Sequence, residues 1–180
     1  MGSATRAELL KLLIAGAAAS SALPEAASAE PATGGLAERV LRLEAHDEIH
    51  HLMMAYGRTL DARDFAGFEA IWASDAEYVQ GQPPGAKGPA AIRAALEKAF
   101  ATNAAGVREP NFHVFFNVDI GPVRGDRGSA FSRSAFVAAD AQGKLQVVIT
   151  AHYEDEFIRE NGRWKFLRRL IAADRPATRA

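Results

Sequence analysis

Residues 144–172 read KLQVVITAHYEDEFIRENGRWKFLRRLIA, two strand-like runs on either side of Asn161-Gly162. Val147, Ile149, Ala151, Tyr153, Asp155 and Phe157 fall at every second position, the period of a strand that buries one face. Asn-Gly suits a two-residue hairpin because both of its central positions require positive φ. Lys144–Arg159 and Trp164–Ala172 are therefore expected to pair antiparallel. Working backwards, Ser129–Ala139 and Phe112–Ile120 have the same character, with Gly143 and Gly125 in the turns between.

Further towards the N-terminus the period changes. Leu36, Val40, Leu43, Ile49, Leu52, Met53, Tyr56 and Leu60 recur at helical spacing, which predicts one long helix stopping near Asp61. Asp64 can accept from the unpaired amides of a second helix carrying Phe65, Phe68, Ile71 and Trp72. A short strand at Glu77–Val79 and a Gly/Pro-rich loop at 81–88 follow. Pro89 then opens a third helix with Ile92, Leu96 and Phe100 on its apolar side. Helices first and consecutive hairpins afterwards mean α+β, with a curved antiparallel sheet around about three N-terminal helices and room for a cavity.

Composition narrows the function. With 180 residues, 48% of them hydrophobic, the chain can bury one sizeable core. Lys and Arg total 21 against 22 Asp and Glu, and no long single-sign run occurs, so general nucleic-acid binding is excluded as a role. The absence of cysteine excludes disulfides, thiolate nucleophiles and cysteine-ligated zinc. Residues 1–29 read as an export signal: Arg6 and Lys11 precede the apolar stretch Leu12–Ala19, and Ala27-Ser28-Ala29 fits a cleavage site. A periplasmic or secreted location follows, with no stable membrane span because the apolar run is too short. The alternative is an uncleaved Ala-rich extension on a cytoplasmic protein. Residues 30–35 form a linker, 36–174 the domain and 175–180 a flexible tail.

One motif is set aside. His46-Asp47-Glu48-Ile49-His50 spaces two imidazoles four apart on a helix, but Asp47 stands where the metalloprotease pattern requires glutamate. A solvated helix face explains it better, and neither metal nor cofactor is expected.

Tyr56-x4-Asp61-x2-Asp64-Phe65, Gly88-Pro89-x2-Ile92, His113, Tyr153-x-Asp155 and Gly162-Arg163-Trp164, in this order, resemble the SnoaL-like branch of the nuclear-transport-factor-2-like superfamily. The resemblance covers roughly residues 37 to 174, and is to its dehydratase and isomerase members, such as scytalone and bile-acid dehydratases and ketosteroid isomerase. It implies a cone-shaped fold whose pocket takes a small, largely apolar cyclic or aromatic ligand, with cofactor-independent lyase or isomerase chemistry. Residue by residue it makes Tyr56, Asp61 and His113 the catalytic set. Ser132 stands near where scytalone dehydratase has a second histidine, so a two-histidine mechanism does not transfer.

Elimination or allylic isomerisation needs a base for a carbon-bound proton and a donor for the oxygen that gains charge. His113 held in one tautomer by Asp61 suits the first role, and Tyr56 the second. Residues five apart on a helix lie about 140° apart, so the helix is expected to end between Tyr56 and Asp61. Asp61 could instead simply organise the turn. Periodicity alone sends His113 to water, with Phe112, Val114, Phe116 and Val118 packed inside; the resemblance makes the His113 face the concave one.

A second tier of ligand contacts comprises Trp72 and Tyr78 as aromatic wall, Phe115 and Asn117 beside His113, Tyr153, and Arg133 and Arg168 as partners for a polar group. Each has a structural alternative, as a core aromatic or as an arginine with packed stem and solvated head. Three classes of function remain: a lyase or isomerase, a non-catalytic small-ligand binder, and an association domain. In the last, the apolar sheet face builds a homodimer or higher homo-oligomer.

Overall fold

The computed structural model describes residues 35–81, 83–103 and 106–174. The expected export signal, the linker up to residue 34 and the tail at 175–180 lie outside the described residues.

Helix α1 spans Leu36–Asp61 and buries Ala45, Ile49, Leu52, Met53, Tyr56 and Leu60, while Leu36, Leu41 and Leu43 remain exposed. It ends in a Schellman motif. The Arg63 amide donates to the Leu60 carbonyl at 3.1 Å and the Asp64 amide to that of Thr59 at 2.8 Å. Helix α2, Phe65–Ala70, starts at once, its Gly67 amide donating to the Asp64 carboxylate at 2.8 Å as the sequence predicts. Strands β1 (Trp72–Gln80) and β2 (Ala86–Lys87), helix α3 (Pro89–Thr102), and strands β3 (Arg108–Ile120), β4 (Arg127–Ala139), β5 (Leu145–Glu160) and β6 (Arg163–Ala173) complete the chain. No described helix is long and apolar enough to cross a membrane.

The six strands form one curved, open sheet in the order β2-β1-β6-β5-β4-β3. All neighbours are antiparallel except β1 and β6, which run parallel, so the sheet is mixed. That pairing also changes the expected boundary near Trp72. Its partner is Phe166, and the Phe166 amide donates to the Ile71 carbonyl at 3.0 Å, so Ile71 ends α2 and Trp72 begins a nine-residue strand. Local periodicity carries no trace of a partner more than ninety positions away. The β5–β6 hairpin is as read, with Asn161 and Gly162 at φ 53° and 77°.

Phe68, Trp72, Phe157 and Phe166 fill the core, and among them lies a charge. Arg169 is fully buried and makes a bidentate pair with Asp155, both N–O distances 2.7 Å. Its guanidinium carbon stands 4.0, 4.5 and 4.4 Å from the ring centroids of Tyr56, Tyr153 and Phe166. Burial alone disfavours the cation, but the adjacent Asp155 carboxylate outweighs it and holds the proton more tightly than usual.

Removing one member of such a pair strands a charge in the core. Asp155→Ala is expected to cost about 3–5 kcal/mol in urea unfolding, whereas replacing both partners, Asp155→Leu with Arg169→Met, should recover most of that loss. A single-variant cost below about 1 kcal/mol would show that the pair does not hold the core together.

Candidate active site

Between α1, α3 and the concave side of the sheet lies a cavity of about 840 Å³. It exists because β4 and β5 present small side chains there, Ser134 and Ala151, where larger ones would close the space. Leu96, Phe100, Phe136, Ile149 and Ile171 supply apolar wall. Into this setting project one imidazole and three phenols, His113, Tyr56, Tyr78 and Tyr153.

His113 is fixed from behind. Its Nδ1 lies 2.6 Å from Asp61 Oδ1, and its backbone amide donates to both carboxylate oxygens, at 3.2 and 3.0 Å. An ionised carboxylate only accepts, so Nδ1 carries the proton and Nε2 is the basic nitrogen. The side chains are 11% and 23% exposed, and Asp61 stands outside the cavity wall, with the imidazole facing inward. Phe136 packs 4.8 Å from the imidazole ring, centroid to centroid, and Tyr56 meets it edge-on at 6.1 Å.

Gly57 makes the dyad possible. A Cβ there would stand 2.8 Å from a Phe115 ring carbon and 3.4 Å from His113 Cβ, so only a glycine lets α1 approach β3 this closely. The helix does not end between Tyr56 and Asp61, as their angular separation led one to expect; it runs unbroken to Asp61. Tyr56 points into the interior, Asp61 leaves the last turn towards β3, and His113 comes from β3 to meet both.

Two of the tyrosines form a polar line that leads from the interior to Gln80. Tyr56 and Tyr78 hydroxyls are 3.3 Å apart, and Tyr78 donates to Gln80 Oε1 at 3.4 Å. Burial pushes the Tyr56 phenol well above its ordinary value, with neighbouring Tyr78 and Tyr153 adding to the rise. Burial also carries Tyr78 up to about 12 and raises Tyr153. All three stay protonated at neutral pH and are available as donors.

The remaining candidates lie elsewhere. Trp72 is a core side chain, 5.0 Å from Phe166 between ring centroids, and Phe115 supports Tyr56 and Tyr153 edge-on from outside the cavity wall. Arg133 pairs with Asp174 at 2.8 Å and Arg168 with Glu77 at 3.3 Å; neither lines the cavity. Asn117, expected beside His113, is exposed: a register shift between Phe116 and Asp119 breaks the alternation, and Asn117 takes φ 50°. The expectation from periodicity that Val114 and Phe116 pack inside is also overturned, since they are 41% and 38% exposed and His113 takes the concave side. His50, from the set-aside motif, is exposed, and no group of three or more potential metal ligands occurs among the described residues.

Sequence reasoning missed Arg63, Gln80, Asn111 and Ser134 on the wall, and Arg169 beneath it. Only Arg169 had a usable signal. Counting back from Asn161-Gly162 brings Asp155 opposite a basic pair, Arg168-Arg169, but the count alone selects Arg168. A bulge between Glu156 and Phe157 shifts the partner by one, to Arg169.

The SnoaL-like domain family matches residues 41–170 of the chain. No curated protein matches it in sequence. Among solved structures it is similar to a nuclear-transport-factor-2-like protein with a cystatin-like fold from Novosphingobium aromaticivorans: 26% identity, TM-score 0.70, covering 79% of this chain and 90% of that one. A provisionally assigned scytalone dehydratase from the same organism shares 21% identity at TM-score 0.64, over 79% and 99% of the two chains. A hexachlorocyclohexane dehydrochlorinase shares 21% at 0.61, over 76% and 90%. The last two likenesses bear on fold alone, whereas the family match spans helix, dyad and hairpin together. On that match the chain belongs to the SnoaL-like domain family.

Proposed function

We propose that the protein is a cofactor-independent lyase or isomerase that moves a carbon-bound proton on a small cyclic or aromatic compound. One observation carries the reading: an imidazole, held in a single tautomer by a carboxylate at 2.6 Å, on the wall of a largely apolar cavity. Two solved structures of the same fold are named for eliminations, one a dehydratase and one a dehydrochlorinase, and this reading takes the same reaction class.

His113 Nε2 removes a proton from the carbon next to a carbonyl or activating ring, and the C–H electron pair becomes the new double bond. A hydroxyl on the neighbouring carbon departs with its bonding pair and takes the proton from the imidazolium, leaving as water and restoring the neutral base. In an isomerisation the imidazolium returns the same proton to another carbon. Asp61 stabilises the transient imidazolium, and the Tyr56 phenol donates to the oxygen that gains charge. The long Tyr56–Tyr78 contact is readily redirected to a ligand oxygen.

The kinetic test uses cyclic β-hydroxy ketones, read by the absorbance of the conjugated enone formed. His113→Ala should lower kcat by about 10²–10⁴-fold, and Asp61→Asn should lower kcat with little change in KM. Wild-type turnover in both variants would rule the dyad out as the catalyst; binding without turnover in the wild type would leave a ligand-binding module.

A second test uses pH. The chain has three tyrosines, all buried at this site. Their folded-state proton affinity exceeds that of the unfolded chain, so the associated stability is complete below the ordinary value of 10.0 and is lost as pH rises through the folded values, about 12 for Tyr78. Tyrosinate absorbance should therefore appear together with unfolding, and a phenol ionising near 10 in folded protein would contradict the buried arrangement.

A further inference from the structure

Arg63 occupies a position where arginine is out of place. It is the left-handed residue of the Schellman motif ending α1, with φ 57°, a site that favours glycine because a Cβ is strained there. Backbone strain of this kind persists where the side chain is held by its surroundings. Here Nη1 donates to the Leu60 carbonyl at 2.6 Å and Nη2 to Asn111 Oδ1 at 2.7 Å. The guanidinium carbon lies 3.9 Å from the Phe100 ring centroid, so one face is covered and the group is clamped between α1, α3 and β3.

Both of its acceptors are neutral. Among the described residues Arg63 pairs with no carboxylate, whereas Arg93, Arg133, Arg159, Arg168 and Arg169 each do, and other arginines without an ion pair, such as Arg58, Arg124, Arg127 and Arg163, are exposed. The end of α1 beside it offers at most about half a negative charge. Yet Arg63 is half-buried and lines the same cavity as His113. Leu60 and Asn111 occupy only part of its donor fork, and a rigid guanidinium partly removed from water binds a carboxylate through paired, charge-assisted hydrogen bonds.

We infer that Arg63 is an anion subsite of the cavity and that the ligand is a ring compound bearing a carboxylate. This rests on the reading of the cavity as a site for small ring compounds. Carboxylate is preferred to phosphate because the other charged side chains on the wall, Lys98 and Glu109, are both exposed and of opposite sign, leaving the single charge of the partly buried Arg63 to balance the ligand. Spacing supports the assignment: Asn111, which holds Arg63, and His113 are two residues apart on β3, about 7 Å along the strand. A ring anchored by its carboxylate at Arg63 therefore brings its far side to the imidazole.

The test compares 2-naphthoate with 2-naphthamide, equal in ring and differing in charge, by isothermal titration calorimetry. Wild type should bind the acid at least about tenfold more tightly than the amide. Arg63→Asn removes the charge and suits the left-handed backbone; Asn111→Asp keeps Arg63 and its hydrogen bond but supplies an internal counter-charge. Both should abolish the preference while amide affinity stays within about threefold, which also shows that the variants are folded. Equal binding of acid and amide to wild type, or a preference that survives in both variants, would overturn the subsite and leave the ring cavity standing. Failure of wild type to bind either compound would overturn subsite and ring cavity together.

Discussion

A guanidinium with no access to water sets the terms for the centre of this domain. Arg169 cannot shed its proton at any ordinary pH, so the core around it must supply both a counter-charge and π faces. Asp155 supplies the charge from the directly opposed position on β5, and Tyr56, Tyr153 and Phe166 supply the faces. A slip of one residue between β5 and β6 would bury Arg168 and expel Arg169, so the ion pair and the strand register are mutually dependent. Two of the three rings packed on the cation are also site tyrosines, which ties the orientation of the donors to the integrity of the core.

Above this floor, the site depends on how closely α1 lies against β3. Gly57 sets the approach, and the dyad forms because Asp61 ends the helix at the point where His113 passes. The same turn then places Arg63 on the cavity wall and Asp64 at the start of α2. Four consecutive residues, Asp61-Ala62-Arg63-Asp64, thus combine a helix stop, a carboxylate for the His113 imidazole, a cation on the wall and a helix cap. Their spacing reflects the Schellman geometry as much as the chemistry.

Much of the architecture was legible because it is local. Helix periodicity in α1, the Asp64 cap, Pro89 at the start of α3 and the Asn161-Gly162 hairpin act through contacts within a few residues, and each appears where the sequence places it. The extent of β1 and its parallel pairing with β6 were not legible, since they come from a distant strand. Site residues followed the same division. Tyr56, Asp61 and His113 could be named from motif order, but whether they converge could not be read from angles on one helix, because the third member comes from β3.

The sequence by itself determined the element order except for the short strand β2, which lies inside the expected 81–88 loop and is made by pairing with β1, together with the helix and hairpin boundaries set by caps and turns and a short set of residues able to do acid–base chemistry. Tertiary structure alone decided which of Arg168 and Arg169 lies inside, that Asn117 faces out, and that Arg63 borders the cavity. Arg63 reaches the wall because its turn packs against α3 and β3, and for the strand positions the physical reason is parity. Strand faces alternate every residue, so a single bulge, set by packing across the sheet, exchanges inside for outside with no mark in the local pattern.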